Sequence, residues 1–350
     1  MEENNITYLL GAGASANAIP VVQNFKEKLD DFLNFFNTDL NKVPLETILR
    51  KNQVNLDLIS KFTSITDEIK RHHTPDTLGK KLFLNNSLNS NFDLNDFKLY
   101  LSLYFIYLQF RQFETYPKFN IDFRYDVFWS TLLNLNTKKL PNNIKIISWN
   151  YDLQIELSYF NIFNSLGFDK VFQEINSYPF KNIENPSIIK LNGSAGLIEV
   201  NDDQTKFVDL IYLQMGNSII KYLDEYFNSN VNQSLKFAWE NDTFEVIQKA
   251  KKIIEETDIL VIIGYSFPTF NREVDLAILG GKNFDKVYIQ DMTKSSGELL
   301  IDKFNNINLF STIPTDIVPI QSNEFYIPFE FNNTNSSKEN YKLQWLKGNK

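Results

Sequence analysis

Short apolar runs that end in glycine or a small polar residue, a glycine-rich turn after the first of them, and a long stretch with only helical periodicity predict an α/β fold. Its form would be a Rossmann-like parallel sheet with a large helical insertion. The first run is Ile6-Thr7-Tyr8-Leu9-Leu10, which passes straight into Gly11-Ala12-Gly13-Ala14-Ser15-Ala16-Asn17 and then Ala18-Ile19-Pro20. A partly β-branched apolar run ending in closely spaced glycines is the pattern of a buried strand that turns into a phosphate-binding loop and then a helix. Side chains there would keep the backbone N–H groups from a pyrophosphate, and a helix N-terminus would add partial positive charge. A dinucleotide is the first ligand this suggests, although the third glycine of the usual fingerprint is missing and glycine pairs also serve in plain tight turns.

After the loop, Phe25, Leu29, Phe32, Leu33 and Phe36 recur at helical spacing. Between 38 and 140, Leu45 to Phe62 and Phe92 to Phe113 read as helices. The second is apolar on most faces through Phe97, Tyr100, Leu101, Tyr104, Phe105 and Leu108. No strand pattern is convincing there, so residues 37–139 read as a helical module inserted into an α/β core of 1–36 and 140–300. The adjacent His72 and His73 lie in this module on a polar stretch, with no metal-ligand spacing on one helix face.

The strand pattern returns at Ile144-Lys145-Ile146-Ile147-Ser148-Trp149 and ends at Asn150-Tyr151-Asp152. Small polar side chains just past the carboxyl end of a strand sit where open parallel sheets bind ligands, and they equally suit the cap of the next helix. Ser187-Ile188-Ile189-Lys190-Leu191 ends at Asn192-Gly193-Ser194, and residues 199 to 256 then read as a second, mostly helical excursion. Asp258 to Ile263 is the clearest buried parallel strand and ends at Gly264-Tyr265-Ser266. Lys286 to Gln290 ends at Asp291, an acid placed to bond ribose hydroxyls. Residues 301–350 read as a C-terminal extension, Asn-, Ser- and Lys-rich beyond about 325, with Trp345 an isolated aromatic.

Composition narrows the class. The 350 residues are 43% hydrophobic and 22% charged, enough for one large core or two modest ones. A net charge of -8 argues against nucleic acid as the default partner. The absence of cysteine excludes disulfides, thiolate catalysis and cysteine-ligated zinc. No secretory signal and no membrane-spanning run are legible, so the expected location is cytoplasmic.

In the order GAGAS with Pro20, Trp149-Asn150-Tyr151-Asp152, Lys190-Leu191-Asn192-Gly193-Ser194 and Gly264-Tyr265-Ser266, the chain resembles the sirtuin-like family. The likeness is to its zinc-free branch of NAD hydrolases in bacterial antiphage defence. It covers about residues 1 to 36 and 140 to 295, and the lack of cysteine agrees with it. The resemblance implies NAD+ as substrate, without a metal. It implies that Gly11, Ala12, Gly13 and Ser15 hold the pyrophosphate, with Pro20, Gly193, Ser194 and Tyr265 also in the nucleotide site. Gly264 and Ser266 would meet ribose and phosphate, and Asp291 the adenosine ribose. Asn150 and Asp152 would face the nicotinamide ribose, Asn150 placing the water. Asp152 would stabilise the cationic ribose or anchor the carboxamide, two roles the sequence does not separate.

One position departs from the family. A histidine usually follows the Lys-Leu pair, and here the residue is Asn192, which cannot exchange a proton near neutral pH. Three explanations stand: a variant that hydrolyses NAD+ using Asn150, a nucleotide-binding pseudoenzyme, or a substitution introduced to trap substrate. The function expected is therefore an NAD+ glycohydrolase that depletes NAD+ on infection. The alternative is a catalytically inactive nucleotide-binding subunit of a defence complex, and a generic Rossmann dehydrogenase or transferase is a third reading. An uncontrolled NAD hydrolase would poison its host. Control is therefore expected from a homo-oligomer, with a separately encoded ATPase or sensor as a further partner.

Overall fold

A computed structural model describes residues 4–21, 25–38, 54–72, 74–84, 91–110, 119–134, 136–163, 168–179, 183–200, 204–206, 219, 222–223, 226–227, 231–240, 243–291, 294–308 and 316–331. His73, Trp345, residues 45–53 and the ends of several expected elements lie outside these residues.

The apolar run β1 (Ile6–Leu10) is buried along its whole length. It is followed by α1 (Leu29–Thr38), then by α2 (Val54–Arg71), α3 (Pro75–Leu84), α4 (Leu94–Phe110) and α5 (Arg124–Leu132). The α/β alternation resumes with β2 (Ile144–Ser148), α6 (Gln154–Ile162), α7 (Phe168–Glu174), β3 (Ser177–Tyr178) and β4 (Ile188–Lys190). Three short strands follow, β5 (Ile198–Val200), β6 (Gln204–Lys206) and β7 (Val231–Gln233), then α8 (Phe244–Glu255) and β8 (Ile259–Ile263). The described chain closes with α9 (Arg272–Leu279), β9 (Lys286–Gln290), α10 (Lys294–Ile307) and β10 (Asp316–Ile320).

Seven strands form one parallel sheet in the order β10-β9-β8-β1-β2-β4-β3. This is the expected α/β, Rossmann-like architecture. β1 lies at its centre, and the chain first builds outward on the β2 side and later on the β8 side, which makes β1/β8 the switch point of the sheet. Register aligns the strand ends: Leu10 pairs with both Ser148 and Ile263, and Ser148 pairs with Lys190. The loops that open at Gly11, Trp149, Leu191 and Gly264 therefore leave the sheet along one edge.

Alternation along β1 divides the core between two faces. Ile6, Tyr8 and Leu10 pack with the inserted helices, while Leu9 joins Ile147, Leu260, Ile262 and the side chains of α8, α9 and α10. On the first face Phe128 of α5 meets Tyr8 edge-on at 4.9 Å, and Phe32 of α1 lies across Tyr100 and Tyr104 of α4. α4 is apolar on most faces because it is enclosed by α1, α2, α3 and the site loops. The insertion and the sheet face share one continuous core.

Two expectations are corrected. Among the described residues no α-helix starts at the glycine loop itself: Ala12–Ser15 forms a single 3-10 turn, Pro20 five residues on interrupts helical continuation, and the helix expected over Phe25 to Phe36 is helical from Phe25 onward. The excursion after 199 holds short strands as well as helix among the described residues. β6-β5-β7 make a small antiparallel sheet whose strands of three residues each are too short to show a period of two. Further along, β10 pairs with β9, and Phe325 and Phe331 are buried in the core.

The glycines at the switch point hold two backbones together. The Gly13 N–H donates to the Gly264 carbonyl at 2.9 Å, and Gly264 has φ of +62°. A Cβ on Gly264 would lie 2.4 Å from the Ala14 nitrogen and the Gly13 carbonyl carbon. Gly264→Ala is therefore expected to destabilise the fold by roughly 1–3 kcal/mol through overpacking and strain. Thermal melting against the parent chain measures this, and an unchanged midpoint would contradict the interlock.

Candidate functional site

Above the aligned strand ends lies a cavity of about 560 Å³. That is within the roughly 300–1,000 Å³ span of small-molecule sites. Ala12, Pro20, Asn150, Asp152, Asn192, Gly264, Tyr265 and Ser266 all line it, although they come from four separate loops. Gly11, Gly13, Ser15, Gly193, Ser194 and Asp291 are not among the lining residues. Gly11 and Gly13 form the wall behind Ala12: a Cβ on Gly11 would lie 2.6 Å from the Tyr265 Cα. Gly193, at φ of +61°, passes under the Ser234 carbonyl, where a Cβ would meet oxygen at 1.9 Å. Ser194 is buried, and its hydroxyl has no hydrogen-bond partner among the described residues. Asp291 continues β9, its backbone N–H bonded to the Ile320 carbonyl beside β10.

Each polar group at the strand ends is fixed by the backbone around it. The Asn150 amide donates from Nδ2 to the Gly11 carbonyl at 3.0 Å and to Ser15 Oγ at 3.3 Å, which ties the loop after β2 to the loop after β1. Among the described residues no hydrogen bond engages its Oδ1, an acceptor left for a ligand or water at the cavity that Asn150 lines. Ser15 is held in turn by Tyr125 at 3.4 Å. Asp152 accepts the Gln154 N–H at 3.0 Å, so it caps the start of α6 and lines the cavity at once. Burial pushes the Asp152 carboxyl above the usual range, opposed by the Lys190 charge, the Gln154 N–H and the Ser15 hydroxyl. Lys190 donates to the Asp152 carbonyl and pairs with Glu156 at 3.3 Å, both side chains being fully enclosed. Burial likewise raises Glu156, against the pull of Lys190.

Asn192 is engaged on both ends of its amide. Nδ2 donates to the Trp149 carbonyl at 2.7 Å, and Oδ1 accepts the Ala238 N–H at 2.8 Å. Its backbone carbonyl also accepts the Lys236 N–H. The segment held there is anchored to the insertion by Lys98 and Glu240, 2.6 Å apart, and by Phe237 stacked on Phe97. An asparagine suits this place because it supplies a donor and an acceptor together, with no proton to lose.

Several cavity residues carried no legible signal in the sequence. Thr74, Asp76 and Thr77 enter from the start of α3, Phe270 and Asn271 from the turn before α9, and Lys303 from α10. Thr74-Pro75-Asp76 reads only as a helix start. Burial raises the Asp76 carboxyl to about 6, its own backbone N–H opposing. Lys303 Nζ donates to the Ser266 carbonyl at 2.7 Å and, among the described residues, brings the one cationic side chain to the cavity lining. Behind the wall Tyr265 stacks on Trp149 at 5.5 Å, donates its hydroxyl to Asp275 at 2.9 Å and accepts the Asn271 amide at 3.1 Å, while Trp149 also donates to Asp275. Burial pushes Asp275 up to about 7, opposed by the Tyr265 and Trp149 donors. His72 lies elsewhere, its Nδ1 2.7 Å from the Glu68 carbonyl. Among the described residues no group of three or more His, Cys, Asp or Glu is placed to hold a metal ion, and no helix is long and apolar enough to cross a membrane.

No family model and no curated protein matches the chain. Among solved structures it is similar to a Sir2 homolog in complex with NAD, with 12% identity over 87% of this chain and 90% of that one, at a TM-score of 0.37. It is also similar to a mutant Sir2 homologue in complex with ADP-ribose, with 11% identity, 87% and 92% coverage and a TM-score of 0.37. A third is a Sir2 bound to an inhibitor, 2′-O-acetyl-ADP-ribose and a deacetylated peptide, with 14% identity, 84% coverage of each chain and a TM-score of 0.36. At such identities and TM-scores nothing about ligand or chemistry passes from those proteins to this one.

Two substitutions test these contacts. Asn192→Ala leaves the Trp149 carbonyl and the Ala238 N–H buried and unpaired, an expected loss of roughly 1–3 kcal/mol for each group, read by denaturant unfolding. Asp275 binds its proton more tightly folded than unfolded, so its contribution to stability is full below its unfolded value of 3.8 and is lost as pH rises through about 7. Asp275→Asn is expected to flatten that part of the melting-temperature profile; a profile identical to that of the parent would refute the buried-acid assignment.

Proposed function

We propose that the chain is a sirtuin-like NAD+ glycohydrolase, converting NAD+ and water to nicotinamide and ADP-ribose. The observation that supports this reading best is the convergence of Ala12, Asn150, Asp152, Asn192 and Gly264–Ser266 on one cavity at the switch point of a parallel sheet. These residues belong to the four motifs that carry the family resemblance. In this reading the pyrophosphate lies along Ala12 and Ser266 near Lys303, and the nicotinamide ribose lies between Asn150 and Asp152.

Cleavage of the glycosidic bond builds positive charge on that ribose while a neutral nicotinamide leaves. A site for this needs fixed dipoles and negative charge near the ring, little bulk water, and one water held on the face opposite the leaving group. Asn150 suits the last task, because its Nδ2 is fixed by Gly11 and Ser15 and its Oδ1 is left as an acceptor. Asp152, joined to the Lys190–Glu156 pair through its own carbonyl, supplies a carboxyl whose place is set by α6. NAD+ depletion in antiphage defence, a homo-oligomeric state and a separately encoded ATPase or sensor belong to the same proposal.

A second reading, a catalytically inactive nucleotide-binding subunit, draws on Asn192: its amide is spent on backbone groups and moves no proton. The two are separated by chromatography of NAD+, nicotinamide and ADP-ribose for the parent chain, Asn150→Ala and Asn192→His. A hydrolase is expected to produce nicotinamide and ADP-ribose in equal amounts. Asn150→Ala should slow turnover roughly 10²-fold or more, with calorimetric NAD+ affinity retained. NAD+ binding without turnover in the parent and in Asn192→His would favour the binding subunit.

A further inference from the structure

The cavity holds a carboxylate that none of the strand-end motifs supplies. Asp76 stands in the first turn of α3, on the inserted module, and lines the cavity together with Thr74 and Thr77. Its charge acts on the phenols of Tyr151 and Tyr265, which line the same cavity. Among the described residues no ion pair or side-chain hydrogen bond engages it, so nothing in the fold requires an acid there. Leaving a carboxylate half-enclosed and unpaired costs stability, and such groups concentrate at functional sites.

The other polar groups at the cavity cannot take a proton as readily. Asn150 and Asn192 are amides, and the amide of Asn192 is fully engaged by backbone groups. Asp152 is occupied by the Gln154 N–H and the Ser15 hydroxyl and is held next to Lys190. We propose that Asp76 is the catalytic base of the cavity, accepting the proton of the water that attacks the nicotinamide-bearing ribose. This rests on the NAD+ hydrolase reading above. The water oxygen bonds to C1′ as the bond from C1′ to the nicotinamide nitrogen breaks. The electron pair of that bond stays on the nitrogen and neutralises the ring, one water proton passes to the Asp76 carboxylate, and ADP-ribose keeps the new hydroxyl. The same carboxylate opposes the positive charge that develops on the ribose before attack is complete.

A base raised to about 6 is ionised at neutral pH and is lost as pH falls through that value. The charged and titratable groups that line the cavity with it are Tyr151 and Asp152 from the loop after β2, Tyr265 from the loop after β8 and Lys303 from α10, of which the two tyrosines feel its charge, with Lys80 on its own helix turned to the Phe270 carbonyl. The phenols are held neutral by burial throughout this range. Asp152 is also shifted upward, so the acid limb is assigned by substitution rather than by position alone.

The experiment is the pH dependence of NAD+ consumption by the full chain from about pH 5 to about pH 8, for the parent, Asp76→Asn and Asp76→Glu, with melting and calorimetric NAD+ titration of each. The parent is expected to lose kcat/KM below about pH 6. Asp76→Asn is expected to lose roughly 10²-fold or more and to lack that limb while binding NAD+, whereas Asp76→Glu recovers part of the rate with a displaced limb. Parent-like rates and an unchanged limb in Asp76→Asn would overturn this inference and leave the hydrolase standing. A parent chain that turns over no NAD+ would overturn the hydrolase reading and this one with it. If Asp76→Asn melts early, Asp76→Glu decides: an undisplaced limb in that variant counts against the proposal.

Discussion

The contact on which the rest of this structure depends is between two backbones. The loops after β1 and β8 touch at Gly13 and Gly264 with no side chain between them. β1 and β8 are in register along their full length, so their loops start at the same level and must either diverge or interlock. Glycine allows interlocking. The result is a closed floor from which Ala12 faces the cavity on one side and Tyr265 and Ser266 on the other. Glycines that a phosphate-binding reading explains by ligand approach are thus needed even before a ligand arrives.

From that floor the site is built by residues that serve twice. Asn150 fastens one loop to another with its Nδ2 and leaves Oδ1 to the cavity; Asp152 caps α6 and lines the same space. Behind them the Lys190–Glu156 pair is wholly enclosed, an arrangement whose desolvation cost offsets much of its attraction. Breaking such a pair from one side typically costs about 3–5 kcal/mol. Its place beneath the loop after β2 gives that loop a rigid support, since Lys190 also reaches the Asp152 carbonyl.

The inserted helices complete both the core and the cavity. α4 and α5 cover one face of the sheet through Tyr8, Phe128 and the aromatic cluster around Tyr100 and Tyr104. The start of α3 then lines the cavity and brings Asp76, which with Asp152 makes the two acidic lining residues among the described residues. Lys98 of α4 holds the segment that Asn192 bonds.

The sequence by itself determined the sheet and the edge where the cavity lies. Strands such as Ile259–Ile263 are buried on both faces and read as continuous apolar runs, and each is closed by a local glycine or polar signal. Helices with one apolar face, such as α1, were equally legible. Three-residue strands β5, β6 and β7 were not, because three residues are too few to display an alternation of period two. Only the tertiary structure decided that Asn192 is a staple between Trp149 and Ala238, that Gly193 passes beneath Ser234, and that Asp76, Asp275 and Lys303 surround or support the cavity. Periodicity and turn chemistry are local, whereas burial, hydrogen-bond partners and the pKa of a carboxyl are set by groups distant in the chain.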